Sequence, residues 1–273
     1  MRLLCSVALC VALVFALCRP AQGHNGVLAV APELTNITID GDFSDWPEGL
    51  VHYPITNAAY GEPPTGAADF DASFQIGYSE VRQEVYVAVT VRDDHTVIDT
   101  TDGWNTQDGC EIYAYLNHRE VPSSSKREAY TSLQFSIYGD TRITLGNTRL
   151  RAPYLVEVQR EGNTARYEWK VDVGALSYGN RPLFAYAVLA LDVIVIDKDQ
   201  DESYSWMAWG PGVNKWAFAE RLGDIFLVGN DEALSAVSGQ VVWQDVEQGN
   251  AQGKVVISSP CLLYTSDAAD DVI

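Results

Sequence analysis

The body of this 273-residue chain is nearly free of cysteine: Cys5, Cys10 and Cys18 lie close to its start and Cys261 close to its end, which leaves Cys110 between them. One thiol makes no internal disulfide, so a stable domain here rests on its core. Cys110 alternates with Ile112, Ala114 and Leu116, the pattern of a small buried hydrophobe and not of a nucleophile. Positive charge is also scarce, with 18 Lys and Arg against 37 Asp and Glu and a formal net charge of -19. Nucleic acid and anionic membrane surfaces are poor partners for such a chain. Past the first residues there is no apolar run of the roughly 18 residues that a membrane span needs, which argues against membrane insertion. Helical periodicity is nearly absent too, with at most a turn over residues 174–177.

The two ends differ from the body. Arg2, an apolar stretch over residues 3–17, Arg19, and small residues at Ala21 and Gly23 predict a secretory signal peptide over residues 1–23. The domain is therefore expected to be secreted or extracytoplasmic, in the periplasm or at the cell surface. At the other end, residues 261–271 look like the conceptual translation of a transposase sequencing adapter, and residues 261–273 are read as non-biological. On that reading the natural chain continues past Pro260, with further domains C-terminal to this fragment.

What the body has is strand signal. Leu133, Phe135 and Ile137 alternate with Gln134, Ser136 and Tyr138, so one face is core and the other is polar or faces a ligand. Residues 154–158, a turn at Glu161, Gly162 and Asn163, and the alternating Ala165, Tyr167, Trp169, Val171 and Val173 predict a hairpin. Residues 84–91 and 183–196 are more continuously apolar, as interior strands are. Short strands punctuated by Gly, Pro, Asn and Asp predict an all-β fold, an antiparallel β-sandwich over residues 24–229, with rim loops at 54–70 and 121–126. After a linker at 230–236, residues 237–260 change character and are similar to the truncated start of a second β module, a carboxypeptidase-regulatory-like sandwich.

Two indoles stand out by position. Trp104 precedes the acidic strand that carries Asp108 and Glu111, and Trp216 precedes the last clear strand, residues 224–228. An aromatic plane in a turn beside carboxylates suits a sugar, whose C–H face stacks and whose hydroxyl rim needs polar partners. Tryptophans also fill sandwich cores, the role expected for Trp46 and Trp169, while Trp206 and Trp209 stand open between the two. Asp197, Asp199 and Asp201 alternate in a turn, a spacing that suits an oxygen-loving ion such as structural calcium. It is no EF-hand, and a solvated acidic loop is the competing reading. Asp93, Asp94 and His95 repeat the theme more weakly.

The segment Ile37-Thr-Ile39-Asp40-Gly41-Asp42-Phe43-Ser44-Asp45-Trp46 resembles the opening of family 9 carbohydrate-binding modules and their DOMON-like relatives. The order that follows agrees: Ile76 to Tyr78, Val85 to Val87, Asp93 and Asp94, Trp104 with Asp108 to Tyr113, Gln134 with Phe135, Tyr167 with Glu168, Leu191 with Asp192, and Trp209 with Trp216. The likeness covers about residues 33–229. It implies a jelly-roll-like sandwich that holds an oligo- or polysaccharide between two tryptophans, here Trp104 and Trp216. It further implies Glu111, Gln134 and Asn214 as polar contacts, and Ser136 where the family has an arginine.

Some DOMON relatives bind haem, which needs a well-placed Met or His pair. Met207, His24, His52, His95 and His118 fall at no such positions. No H-E-x-x-H, G-x-S-x-G or phosphate-cradling glycine loop occurs, so this fragment is expected to bind glycans without cleaving them. An enzyme or signalling domain, such as a glycoside hydrolase, belongs to the expected C-terminal part. The rival to sugar binding is an extracytoplasmic sensor or interaction domain.

Overall fold

The computed structural model describes residues 25–99, 103–116, 132–143, 153–174 and 182–229, with two short strands at 257–259 and 262–264. The expected leader over residues 1–23, the expected rim loop at 121–126, most of the expected turn at 174–177, the expected linker at 230–236 and nearly all of residues 237–273 lie outside the described residues. Residues 24–236 form one compact unit; a second unit groups residues 1–23 with 237–273, and within it β14 (Ile257–Ser259) and β15 (Leu262–Tyr264) pair as a hairpin.

The main unit is all-β. Its first sheet runs β1 (Leu28–Pro32), β13 (Gly223–Val228), β11 (Val188–Lys198), β6 (Gly109–Tyr115), β7 (Leu133–Tyr138), β8 (Thr141–Ile143), and β11 also pairs β12 (Tyr204–Ala208), which pairs β3 (Asn57–Gly61). The second runs β2 (Tyr53–Pro54), β4 (Phe70–Ser79), β5 (Glu84–Asp93), β10 (Thr164–Asp172), β9 (Tyr154–Glu161). Pairing is antiparallel except where β1 joins β13 in parallel. Ile112, Phe135, Val193 and Ile225 from the first sheet meet Phe74, Val87, Val89, Tyr167 and Trp169 from the second in one core. Cys110 is buried among them, as expected of a small hydrophobe. Each such apolar side chain contributes roughly 1.5–3 kcal/mol on burial.

Two expectations need correcting. The rim loop at 54–70 contains β3, whose Asn-Ala-Ala-Tyr-Gly run lacks an apolar alternation because it is an edge strand with little core to cover. The apolar run at 183–196 becomes a strand only from Val188; Leu183 is nevertheless buried in the core, so its apolar character reflects burial and not pairing.

Alternation exposes a second face on each sheet. In the second sheet, Glu168, Tyr86 and Ala88 point outward and are covered by Leu34, Ile37 and Trp46 from the segment before β2. Glu168 fixes that cover: its Oε2 accepts from the backbone N–H groups of Asp40 and Gly41 at 2.8 Å each, and its Oε1 from Trp46 Nε1 at 2.8 Å. Gly41 is required there, since its φ is +83° and an added Cβ would lie 2.7 Å from Gln159. Asp45 accepts from Thr38 N, and Asp42 caps the following turn through Ser44 N. The Ile-Asp-Gly segment is thus a clasp over the back of the sandwich.

Candidate functional site

The outward face of the first sheet carries the polar floor. Core residues Cys110, Ile112 and Ala114 alternate with Glu111 and Tyr113, and Leu133, Phe135 and Ile137 with Gln134, Ser136 and Tyr138. The register puts Glu111 opposite Ser136 and Tyr113 opposite Gln134. Glu111 accepts from Tyr113 Oη at 2.6 Å, from Gln134 Nε2 at 3.2 Å and from the Tyr138 hydroxyl. Ser136 Oγ bridges to both Glu111 and Gln134. Burial pushes the Glu111 carboxyl above its ordinary pKa, and the hydrogen bonds from Tyr113, Tyr138, Gln134 and Ser136 pull it part of the way back.

This changes the part that Glu111 plays relative to the sequence expectation. With 0% of its surface exposed, it offers nothing directly to a ligand and acts through the groups that it orients. Half-buried Gln134 is the group of this network that reaches outward. Ser136, at the position where the resemblance expects an arginine, is buried as part of the same network.

Trp104 is packed edge-on against Tyr204 at 6.0 Å between ring centroids and tilted against Trp206 at 5.7 Å. Trp206 belongs to the outward cluster with Tyr113 and Tyr138, so this aromatic wall adjoins the floor. Trp216 stands in the loop between β12 and β13. Its neighbour Lys215 is 1% exposed, and Lys215 Nζ donates to Asp192 Oδ2 at 2.7 Å and to the carbonyls of Gly210, Pro211 and Arg221. Ser132 Oγ, at the start of β7, donates to the Lys215 carbonyl at 2.7 Å and ties this loop to the floor. Burial pushes Asp192 up to about 6 and Lys215 down, each resisted by the attraction of the other. Asn214 is exposed and holds φ +58°, a left-handed conformation that Asn tolerates better than most residues.

The tryptophans divide by exposure. Trp46, Trp169 and Trp209 are at most 6% exposed and Trp206 is half-buried, whereas Trp104 and Trp216 are 39% and 36% exposed. The two indoles singled out by position are therefore the two exposed ones among the described residues.

A second polar centre lies beside the Trp104 wall. Carboxylate oxygens of Asp93, Asp108 and Asp197 lie within 4.8 Å of one another, as do those of Asp69, Asp197 and Asp199; a third group joins Asp94, His95 and Asp199. Asp201 belongs to none of these groups: it accepts from Ser203 N and Oγ, which lowers its pKa. Asp69, Asp93 and Asp108 stand in its place, from segments too far apart in sequence for local spacing to connect. Burial, reinforced by the neighbouring carboxylates, pushes Asp197 up to about 8.

Lys215, Asp192, Tyr113, Tyr138 and Tyr204 were not singled out as site residues by sequence reasoning. Asp192 did carry a signal, a carboxylate inside an otherwise apolar strand. Met207 is a core residue.

Comparison with known proteins agrees with this architecture. Two solved structures of family 9 carbohydrate-binding modules from Caldicellulosiruptor kristjanssonii share the fold. One, in complex with glucose, aligns at 14% identity and a TM-score of 0.57 over 76% of this chain and 98% of its own. The other, in complex with cellotriose, aligns at 16% identity and a TM-score of 0.58 over 78% and 99%. Among curated proteins none matches the chain. The family model described as "Carbohydrate family 9 binding domain-like" matches residues 39–230, and the chain belongs to that family of non-catalytic binding modules.

Proposed function

We propose that the outward face of the first sheet binds an oligo- or polysaccharide, with Trp104 and Trp216 stacking on sugar rings and Gln134 and Asn214 hydrogen-bonding hydroxyls, and that no bond is broken. The observation that carries this is the exposure of those two indoles at the flanks of an ordered polar floor, while the other described tryptophans are buried or half-buried. A neutral sugar offers no charge to grip, so stacking and oriented hydrogen bonds must supply the affinity. By analogy with base stacking each indole adds roughly 1–3 kcal/mol. Each neutral hydrogen bond adds about 0.5–1.5 kcal/mol, before the cost of association. The balance is a dissociation constant of roughly micromolar to millimolar. The ligands of the structural neighbours make glucose and cellotriose the first candidates. The leader-like residues 1–23 support export, and the module would deliver or sense sugar for a longer protein.

Titration calorimetry with cellotriose, extended to a glycan array, tests this. Saturable binding that is lost in the Trp104→Ala, Trp216→Ala double variant is expected. A folded wild-type chain that binds no glycan would leave the sensor or interaction domain as the better account.

A further inference from the structure

The aromatic wall does not end at Trp104. Tyr204 and Trp206 stand at alternate positions of β12, with buried Ser205 and core Met207 on its other face, so both rings point outward. Next to β12 lies the edge strand β3, which among the described residues pairs with β12 alone. Its Tyr60 is the register partner of Trp206. A bulge makes that pairing: Met207 faces Ala58 and Trp206 faces Tyr60, so Ala59 is an extra residue on β3. In unbroken register Tyr60 would lie opposite Ser205 and turn away from the outward face; the extra residue re-aims it. Gly61 then lets the two strands close up. Its φ is +82°, an added Cβ would run into the Tyr204 carbonyl oxygen, and Glu62 N donates to that same carbonyl at 3.0 Å. The result is a run of rings, Trp104 against Tyr204 and Tyr204 against Tyr60, each at 6.0 Å between centroids. Tyr60 is 55% exposed, more than either indole of the site.

A lone exposed tyrosine needs no explanation. This one is the outer end of a wall whose inner end is the Trp104 plate, and the bulge, Gly61 and the Glu62 N–H together fix its aim. A tyrosine offers an apolar ring to the C–H face of a sugar and a hydroxyl to its rim, the same chemistry as the indoles and floor that it continues. The net charge of -19 disfavours an acidic polymer. Two ring steps of 6.0 Å separate Tyr60 from the Trp104 plate, so a short sugar held at the indoles leaves it bare and a longer chain covers it. We propose that Tyr60, with Tyr204 beside it, forms an outer subsite for a neutral glycan chain, which runs on from Trp104 over the β12–β3 edge. The subsite rests on the saccharide reading above and adds to it a preference for longer chains over shorter ones.

Titration calorimetry on the full chain compares cellobiose with cellohexaose. Cellohexaose is expected to bind about 5-fold or more tightly, the least that one further ring stack supplies. Tyr60→Ala should remove most of that gain and leave cellobiose affinity within about 2-fold of the wild type, whereas Tyr60→Phe, which keeps the ring, should retain most of it. Tyr60 is exposed on an edge strand, so Tyr60→Ala is expected to fold, and its melting temperature checks that it has. Equal affinity for the two sugars in the wild type, or a gain that survives Tyr60→Ala, overturns the outer subsite and leaves the indole site standing. An equal loss for both sugars in Tyr60→Ala overturns it too, because Tyr60 then only supports Trp104 through Tyr204. Loss of the gain in Tyr60→Phe overturns the stacking role. If the wild type binds neither sugar, the saccharide reading fails and the subsite falls with it.

Discussion

Glu168 and Glu111 occupy the outward faces of opposite sheets, and both are fully buried. Around Glu168 the chain supplies its own cover: two backbone N–H groups and an indole N–H, all from the segment of Asp40, Gly41 and Trp46, meet the carboxylate. Around Glu111 the partners given by the described residues are side chains of the sheet itself, from Tyr113, Gln134, Ser136 and Tyr138. One carboxylate holds a clasp shut. The other sets the directions of groups on a face flanked by exposed indoles. The same device, a buried acid on an outward strand position, thus closes one face and organises the other.

That contrast can be broken by mutation. Glu168→Ala leaves three donors without their acceptor at about 1–3 kcal/mol each, so a loss of roughly 3 kcal/mol or more in urea unfolding is expected, with saccharide affinity of the folded fraction unchanged. Glu111→Ala strands the hydroxyls of Tyr113, Tyr138 and Ser136, which are at most 1% exposed, so a loss of roughly 3 kcal/mol or more is expected there too, but it should in addition weaken binding through a disordered Gln134. If calorimetry finds the two variants equally competent for sugar, the contrast fails. Trp104→Ala and Trp216→Ala should each reduce affinity about 5- to 150-fold, the equivalent of roughly 1–3 kcal/mol, while stability moves by less than about 1 kcal/mol. Unchanged binding in both would remove the indoles from the site.

A further test is one of pH. Burial raises the pKa of Glu111 above its ordinary 4.5, so the folded chain favours the neutral acid more than the unfolded chain does. The resulting stability is fully present below about pH 4.5 and is lost as pH rises through the raised value. Glu111→Gln carries no such proton, and across that interval its unfolding free energy should fall less than that of the wild type. Parallel profiles for the two proteins would show that Glu111 titrates normally.

The faces of the sheets were legible in the sequence because strand alternation is local: Gln134, Ser136 and Tyr138 are separated from Leu133, Phe135 and Ile137 by period alone. The exposure of Trp104 and Trp216 followed from their place in turns. What remained hidden depends on pairing between distant segments. Asp93, Asp108 and Asp197 meet only once β5, β6 and β11 are assembled, so local spacing pointed to Asp201, which serves its own turn. The Ile-Asp-Gly segment carried the family likeness, yet its carboxylates and its Trp46 serve the clasp on the opposite sheet. Family signature and ligand contact are different selections on the same chain.

Cys110 has one more consequence. Its sulfur is sealed in the core, and burial raises its pKa far beyond the range in which a thiolate forms. An alkylating reagent can therefore reach it only when the two sheets part, so its labelling rate in native buffer is a clock for whole-domain opening, with no engineered probe required.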